Sequence, residues 1–234
     1  DGDAMTLQLA AWTTELVSAS TPAFGRMIRD SVTGNLVMST STGGFYAAQP
    51  AGPWTAGTGF AADWLQYLGS MAWGDGVVVV SGSELVLGSY YHATSRSTDG
   101  GVTWTTTTLG NLSGLAHNHV IYDASTSKFL LYLLSGSGTL RVCESVNNGA
   151  TWSAPTTVTL PAGFLTEVFS PLTAMRPEAG DAGGVIAMFG VDGDGYTAML
   201  YSIDGGETFL EATVTGNYDS TTGDLQTLAR CGDR

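Results

Sequence analysis

The chain has 234 residues, 43% of them hydrophobic and 12% charged, with 21 Asp and Glu against 8 Lys and Arg and a net charge of −13. That hydrophobic content excludes a disordered chain. The acidity argues against nucleic acid or an anionic membrane as partner, since phosphates are held by Lys and Arg. No apolar run of about 18 residues exists, so no membrane insertion is expected, and the length suits one all-β domain spanning 1–234.

In chain order, the first element is a strand pair at most, within residues 5–17, where Met5 to Leu9 alternates and Ala11 to Val17 follows. From Phe24 a repeating unit begins. Arg26 to Asp30, Leu36 to Thr40, Phe45 to Ala48 and Trp54-Thr55 read as four short strands separated by turns, giving a unit at 24–57. The second unit, 65–109, has strands at Tyr67 to Trp73, Val77 to Ser81, His92 to Ser97 and Thr103 to Leu109. The third, 117–160, has Val120 to Tyr122, Phe129 to Leu134, Leu140 to Ser145 and Thr151 to Thr159. The fourth, 168–214, has Leu172 to Met175, Val185 to Phe189, Ala198 to Ser202 and Thr208 to Val214. A period of about 50 residues with four strands per unit predicts a β-propeller of four-stranded antiparallel blades. The second strand of each unit is nearly all apolar, as a sheet covered on both faces requires. Residues 223–234 and 5–17 are expected to share a closing blade, making about five. A tandem blade array and a β-sandwich are the rival architectures.

The link between third and fourth strands carries the same octet three times. Ser97-Thr98-Asp99-Gly100-Gly101-Val102-Thr103-Trp104 recurs at Ser145 to Trp152 and at Ser202 to Phe209. Asp99 suits an Asx-type turn, and Gly100 and Gly101 supply the positive φ that a tight corner needs. The pattern S-x-D-x-G-x-T-W resembles the Asp-box (BNR) repeat of the sialidase-like superfamily. Ser97, Asp99, Gly101 and Trp104 match it, as do Ser145, Asn147, Gly149 and Trp152, and Ser202, Asp204, Gly206 and Phe209. Asn147 and Phe209 depart from it conservatively. The resemblance implies a propeller whose boxes sit at the blade periphery, away from any ligand.

In a propeller, ligands meet the end of the axis where the innermost strands start. The loops expected there, 18–25, 56–66, 110–119, 161–170 and 215–224, carry Asp63, Trp64, Asn111, His117, Asn118, His119, Phe164, Glu167, Tyr218 and Asp219. Aromatic faces with carboxylates and amides suit sugars; the alternative is that Trp64 and Phe164 only seal gaps between blades. His117 and His119 share one face of a strand by their spacing, but without a third ligand no metal is expected, and no cofactor is. Asp192 to Gly195 resembles a calcium-loop start yet reads better as a hairpin turn. Cys143 and Cys231 form a disulfide or remain two thiols. Starting at Asp1 without a visible signal peptide, the chain reads as a processed form or a piece of a longer protein.

Sialidase resemblance would require three arginines around a carboxylate, a tyrosine with its glutamate, and an acid aspartate. Arg26, Arg176 and Arg230 with Asp63, Glu167 and Tyr218 are the available residues, but the family's Phe-Arg-Ile-Pro motif is missing. Asp63, Trp64, His117, His119, Glu167, Arg176 and Tyr218 are therefore read as ligand-binding candidates, with no catalytic set. The expectation is a recognition or adhesion module for a glycan or cell-surface receptor, as in a phage tail or secreted protein. It would work outside the cell or on a virion, with other virion or cell-surface proteins as further partners. The alternatives are a sialidase-type glycoside hydrolase and a structural virion or assembly protein.

Overall fold

Runs of β-branched and aromatic residues punctuated by Gly, Asp and Asn favour short strands joined by tight turns, and that is what the computed structural model contains. It describes residues 26–40, 43–47, 53–60, 64–65, 70–87, 89–113, 118–134, 139–162, 186–191 and 197–211. The first sheet is β1 (Arg26–Arg29), β2 (Leu36–Thr40), β3 (Gly43–Ala47) and β4 (Thr55–Ala56), paired in that order. The second is β5 (Trp64–Leu65), β6 (Met71–Gly74), β7 (Val77–Val86), β8 (Ser89–Ser97) and β9 (Thr105–Ser113). Here β5 and β6 both pair with β7, end to end along its length. The third sheet is β10 (Asn118–Asp123), β11 (Lys128–Leu134), β12 (Leu140–Ser145) and β13 (Thr156–Thr157). The fourth shows β14 (Ile186–Val191), β15 (Thr197–Ser202) and β16 (Leu210–Glu211). All these ladders are antiparallel, so the expected all-β chain of four-stranded antiparallel sheets holds. The strand expected at 172–175 and the segments 5–17 and 223–234 lie outside the described residues.

The core lies between sheets, and strand parity explains why. Val78 and Val80 of β7 pack with Val37 of the first sheet, while Val77 and Val79 pack with Val120, Tyr122 and Phe129 of the third. In β11, Leu130 and Tyr132 face Ile186, Leu200 and Phe209 of the fourth sheet, whereas Phe129, Leu131 and Leu133 face back to the second. A strand buried on both faces has to be apolar at odd and even positions alike, as VVVV and FLLYL are. The first strands β1, β6 and β10 lie side by side in succession. Glycine allows a close approach at Gly74, where an added Cβ would sit 2.1 Å from the Tyr122 ring.

Each octet folds into the same corner. Ser97 Oγ donates to Asp99 Oδ1 (2.8 Å) and accepts from Gly101 N–H (2.9 Å). The Asp99 carboxylate also accepts from the N–H groups of Val102 and Thr103 and from the Thr103 hydroxyl (3.1, 2.9 and 2.6 Å). The flanking hydroxyls thus tie the corner together through Asp99 rather than directly across the strands. Burial pushes the Asp99 carboxyl up, but the bonds from Thr103, Ser97 and Val102 outweigh it and hold it below the usual range. Asn147 builds the equivalent turn: its Oδ1 accepts from Ser145 Oγ and Thr151 N–H (3.0 and 2.9 Å) and its amide donates to the Thr151 hydroxyl (2.8 Å). Asp204 repeats it with Ser202 and Thr208. The residues after the carboxylate or amide adopt positive φ in all three, Gly100 and Gly101, Asn148 and Gly149, Gly205 and Gly206.

The aromatics were expected to open the fourth strands, but those strands start later, at Thr105, Thr156 and Leu210. The side chains turn inward to pack instead, and Pro155 has no N–H to give β12. The Trp104 indole folds back on its own corner, donating to Gly101 C=O (2.9 Å), while Trp152 donates to Thr94 in the preceding sheet (2.9 Å). Parallel stitches join neighbouring sheets: Thr58 N–H to Val102 C=O and Trp104 N–H to Thr58 C=O, then Thr159 N–H to Glu207 C=O and Phe209 N–H to Thr159 C=O.

Candidate functional site

In a meander of four strands, the first and third turns lie at one end and the second turn and the link to the next sheet at the other. The octets are third turns. The short strand β5 with Trp64 and the start of β10 with His119 therefore lie at the opposite end from the octets, together with the β7–β8 turn.

At that link end the second sheet is built up beyond its neighbours. The apolar run Val77 to Val80 continues as Ser81-Gly82-Ser83-Glu84, and β7 keeps pairing with β8 through to Val86 and Ser89. The sequence placed strand ends at Ser81 and His92 because the apolar pattern stops there. The ladder goes on because neighbours satisfy its polar groups. Ser70 N–H donates to Ser81 Oγ (2.8 Å), and Ser70 Oγ accepts from Val120 N–H (2.6 Å) and donates to its C=O (3.1 Å). The hairpin tip bears Leu87, fully exposed with φ 50°.

The two faces of this hairpin differ. Toward the third sheet, His92 (4% exposed) and Asn118 (1%) are buried together. The Asn118 amide donates to Gly82 C=O (2.9 Å) and contacts His92 Nδ1 (3.2 Å), while its own carbonyl oxygen has no partner among the described residues. Burial lowers the His92 pKa from 6.5 to about 4, so the ring is neutral near pH 7 and its Nδ1 accepts from Asn118. This pair is a structural seam.

Toward the first sheet, Glu84 and Tyr91 are cross-strand partners and both half-buried. Directly paired residues on one face have Cβ atoms about 5 Å apart. Thr108, exposed on β9, donates its hydroxyl to Glu84 Oε2. Thr108 belongs to the next row, Gly82–Ala93–Thr108, whose other two residues carry nothing larger than a methyl group. Glu84 Oε1 and the Tyr91 hydroxyl engage no described residue. A flat ring, a carboxylate acceptor and a hydroxyl thus share one partly open face, which is the inventory that sugar hydroxyls and a sugar's apolar face require.

Of the sequence candidates, Trp64 is the register partner of Glu84 across β5–β7. His119 is half-buried in β10, opposite Tyr132. Asp63, His117, Glu167, Arg176 and Tyr218 lie outside the described residues. Sequence reasoning missed Glu84, Tyr91 and Thr108. The available signal was the aromatic pair Tyr90-Tyr91 just ahead of the strand that the sequence pattern begins at His92. No group of three or more metal-ligating side chains occurs among the described residues. At the octet end, a cavity of about 260 Å³ lies between the β10–β11 turn and the third corner. It is edged by the Lys128–Glu144 ion pair (2.8 Å) and by Asp204 and Glu207.

No protein-family model matches the chain, and no curated protein matches it in sequence. Solved structures of β-propeller proteins do match in fold. A protein of unknown function from Dyadobacter fermentans is 15% identical with a TM-score of 0.55, the match covering 81% of this chain and 67% of that one. The SapL1 lectin, solved in complex with alpha methyl fucoside, is 14% identical with a TM-score of 0.51, over 87% of this chain and 66% of the lectin. The Hadza microbial sialidase Hz136 is 18% identical with a TM-score of 0.49, and the chain spans 45% of its length. At these identities the likeness shows the fold alone: an all-β chain of four-stranded antiparallel sheets whose structural neighbours are β-propeller proteins.

Proposed function

We propose that this chain is a carbohydrate-recognition propeller of about five blades with Asp-box corners, which binds a glycan at its link end and does not cleave it. The observation that carries the reading is the half-open row on the second sheet, where Glu84 and Tyr91 stand opposite each other with polar atoms that engage no described residue and Thr108 beside them. The fold likeness to a fucose-complexed lectin supports the same reading, and the octets support the Asp-box assignment. Binding at this row needs no catalytic pair: a single carboxylate tied to a threonine is an acceptor for hydroxyls, whereas glycoside cleavage by the usual route needs a second carboxyl group. A place outside the cell or on a virion, as in a phage tail or secreted binding protein, goes with this role and with a surface poor in ion pairs.

The test is a broad glycan array with the purified protein, run beside fluorogenic sialosides and other glycosides. Binding without turnover, abolished by Tyr91→Ala and unaffected by Val146→Ala at the octet end, is the expected result. Turnover of any glycoside, or binding that survives Tyr91→Ala, overturns it.

A further inference from the structure

We infer that the Glu84–Tyr91–Thr108 row selects neutral sugars and rejects acidic ones; the inference rests on the glycan-binding reading and gives it a ligand class. Glu84 is the one ionised group placed on this face of the β7–β8–β9 surface. These three strands carry a single cation, Arg96. It stands at the octet end of β8, and its register places it on the face shared with His92 and Thr94, away from Glu84. None of these three strands therefore brings an arginine to the face of the row, and the net charge of −13 adds a long-range term of the same sign.

Hydrogen-bond chemistry points the same way. Thr108 donates its only proton to Glu84 Oε2, so its oxygen is left as an acceptor. Glu84 Oε1 is also an acceptor. Two acceptors next to an aromatic ring match adjacent sugar hydroxyls, which donate. They do not match a carboxylate, which only accepts and finds among these three side chains a single donor, the Tyr91 hydroxyl. Because Thr108 donates to an ionised group, its oxygen becomes a better acceptor for the second hydroxyl. Two like charges a few Å apart at a partly wetted surface cost about a tenfold loss in affinity, the discrimination expected here.

The experiment is isothermal titration of the full chain with lactose and maltose against 3′-sialyllactose and maltobionic acid at low salt. The neutral sugars should bind at least tenfold more tightly. In Glu84→Gln the gap should shrink several-fold, chiefly because the acidic sugars gain, and raising the salt should narrow it in the wild-type protein. Thr108→Val should weaken neutral sugars without helping acidic ones. Circular dichroism of both variants checks that they fold, and if Glu84→Gln does not, the salt series alone decides. Equal or tighter binding of the acidic sugars, or a gap insensitive to both Glu84→Gln and salt, overturns the inference while leaving glycan binding standing. Absence of binding to every sugar, on the array and by titration, overturns both readings.

Discussion

Replacing Asp99 with Ala and with Asn separates the geometry of the corner from its charge, and the protein contains its own control. The carboxylate accepts four hydrogen bonds, from Ser97 Oγ, Val102 N–H, Thr103 N–H and Thr103 Oγ1. Bonds to a charged group are worth roughly 1.5–3 kcal/mol each when desolvated, but water replaces part of this at a half-exposed corner. Asp99→Ala should therefore cost about 2–3 kcal/mol. Asp99→Asn should cost less than about 1 kcal/mol, because Asn147 already holds the second corner with an equivalent set of bonds. Urea denaturation at pH 7 reads both values. The pH dependence gives a second reading. The folded Asp99 carboxyl titrates below its ordinary range, so its contribution is complete above the unfolded value near ~3.9 and is lost as pH falls through the lower, folded one. The gap between wild type and Asp99→Asn should close in that window. An Asp99→Ala protein within about 0.5 kcal/mol of wild type, the ordinary scatter of surface substitutions, would refute the account, as would an Asn variant as damaged as the Ala one.

Three further outcomes follow from buried contacts. With His92 at about 4 in the fold against 6.5 when free, only the unfolded chain takes the proton between those values, so stability should fall by about 3 kcal/mol as pH drops from 6.5 to 4; a pH series in wild type and His92→Gln, where that slope should flatten, checks it. Gly59 has φ +90° and an added Cβ would lie 2.2 Å from the Trp104 carbonyl, whereas Gly34 has φ +79° with open space around it. Gly34→Ala should thus cost about 1–2 kcal/mol of backbone strain and Gly59→Ala clearly more, by thermal unfolding. The Tyr132 hydroxyl is buried without a partner among the described residues and presses on Gly206. Tyr132→Phe should be neutral or stabilising by up to about 1 kcal/mol, and a calorimetric loss above that would reveal a partner for the hydroxyl.

The parts of the fold legible in the sequence are those that local chemistry decides. Ser97, Asp99 and the two glycines after it specify a corner within eight residues, and the apolar runs at Val77 and Phe129 declare strands covered on both faces. What escaped was decided by neighbours. Ser81 to Glu84 looks like the end of a strand, yet Ser70, Asn118 and Thr108 supply its polar partners from other elements. His92 reads only as the start of a strand and is a core residue. Trp104 and Trp152 hold the same position in their octets but bond to different partners, because the close approach of Gly57 and Gly59 around Trp104 belongs to the first sheet. The row proposed to bind was hidden for the same reason: Glu84, Tyr91 and Thr108 come from three strands, and only the register of β7, β8 and β9 assembles them.

The stitches at Thr58 and Thr159 give the molecule a direction in time. Each is formed by the segment leaving one sheet and the corner of the next, so the holder always leaves the ribosome before the part it holds. A nascent chain emerging at about 5–20 residues per second offers each of these two corners a finished edge to settle on. Trimming from the carboxyl end removes guests and leaves hosts intact, whereas trimming from the amino end removes a host and leaves its guest unmoored.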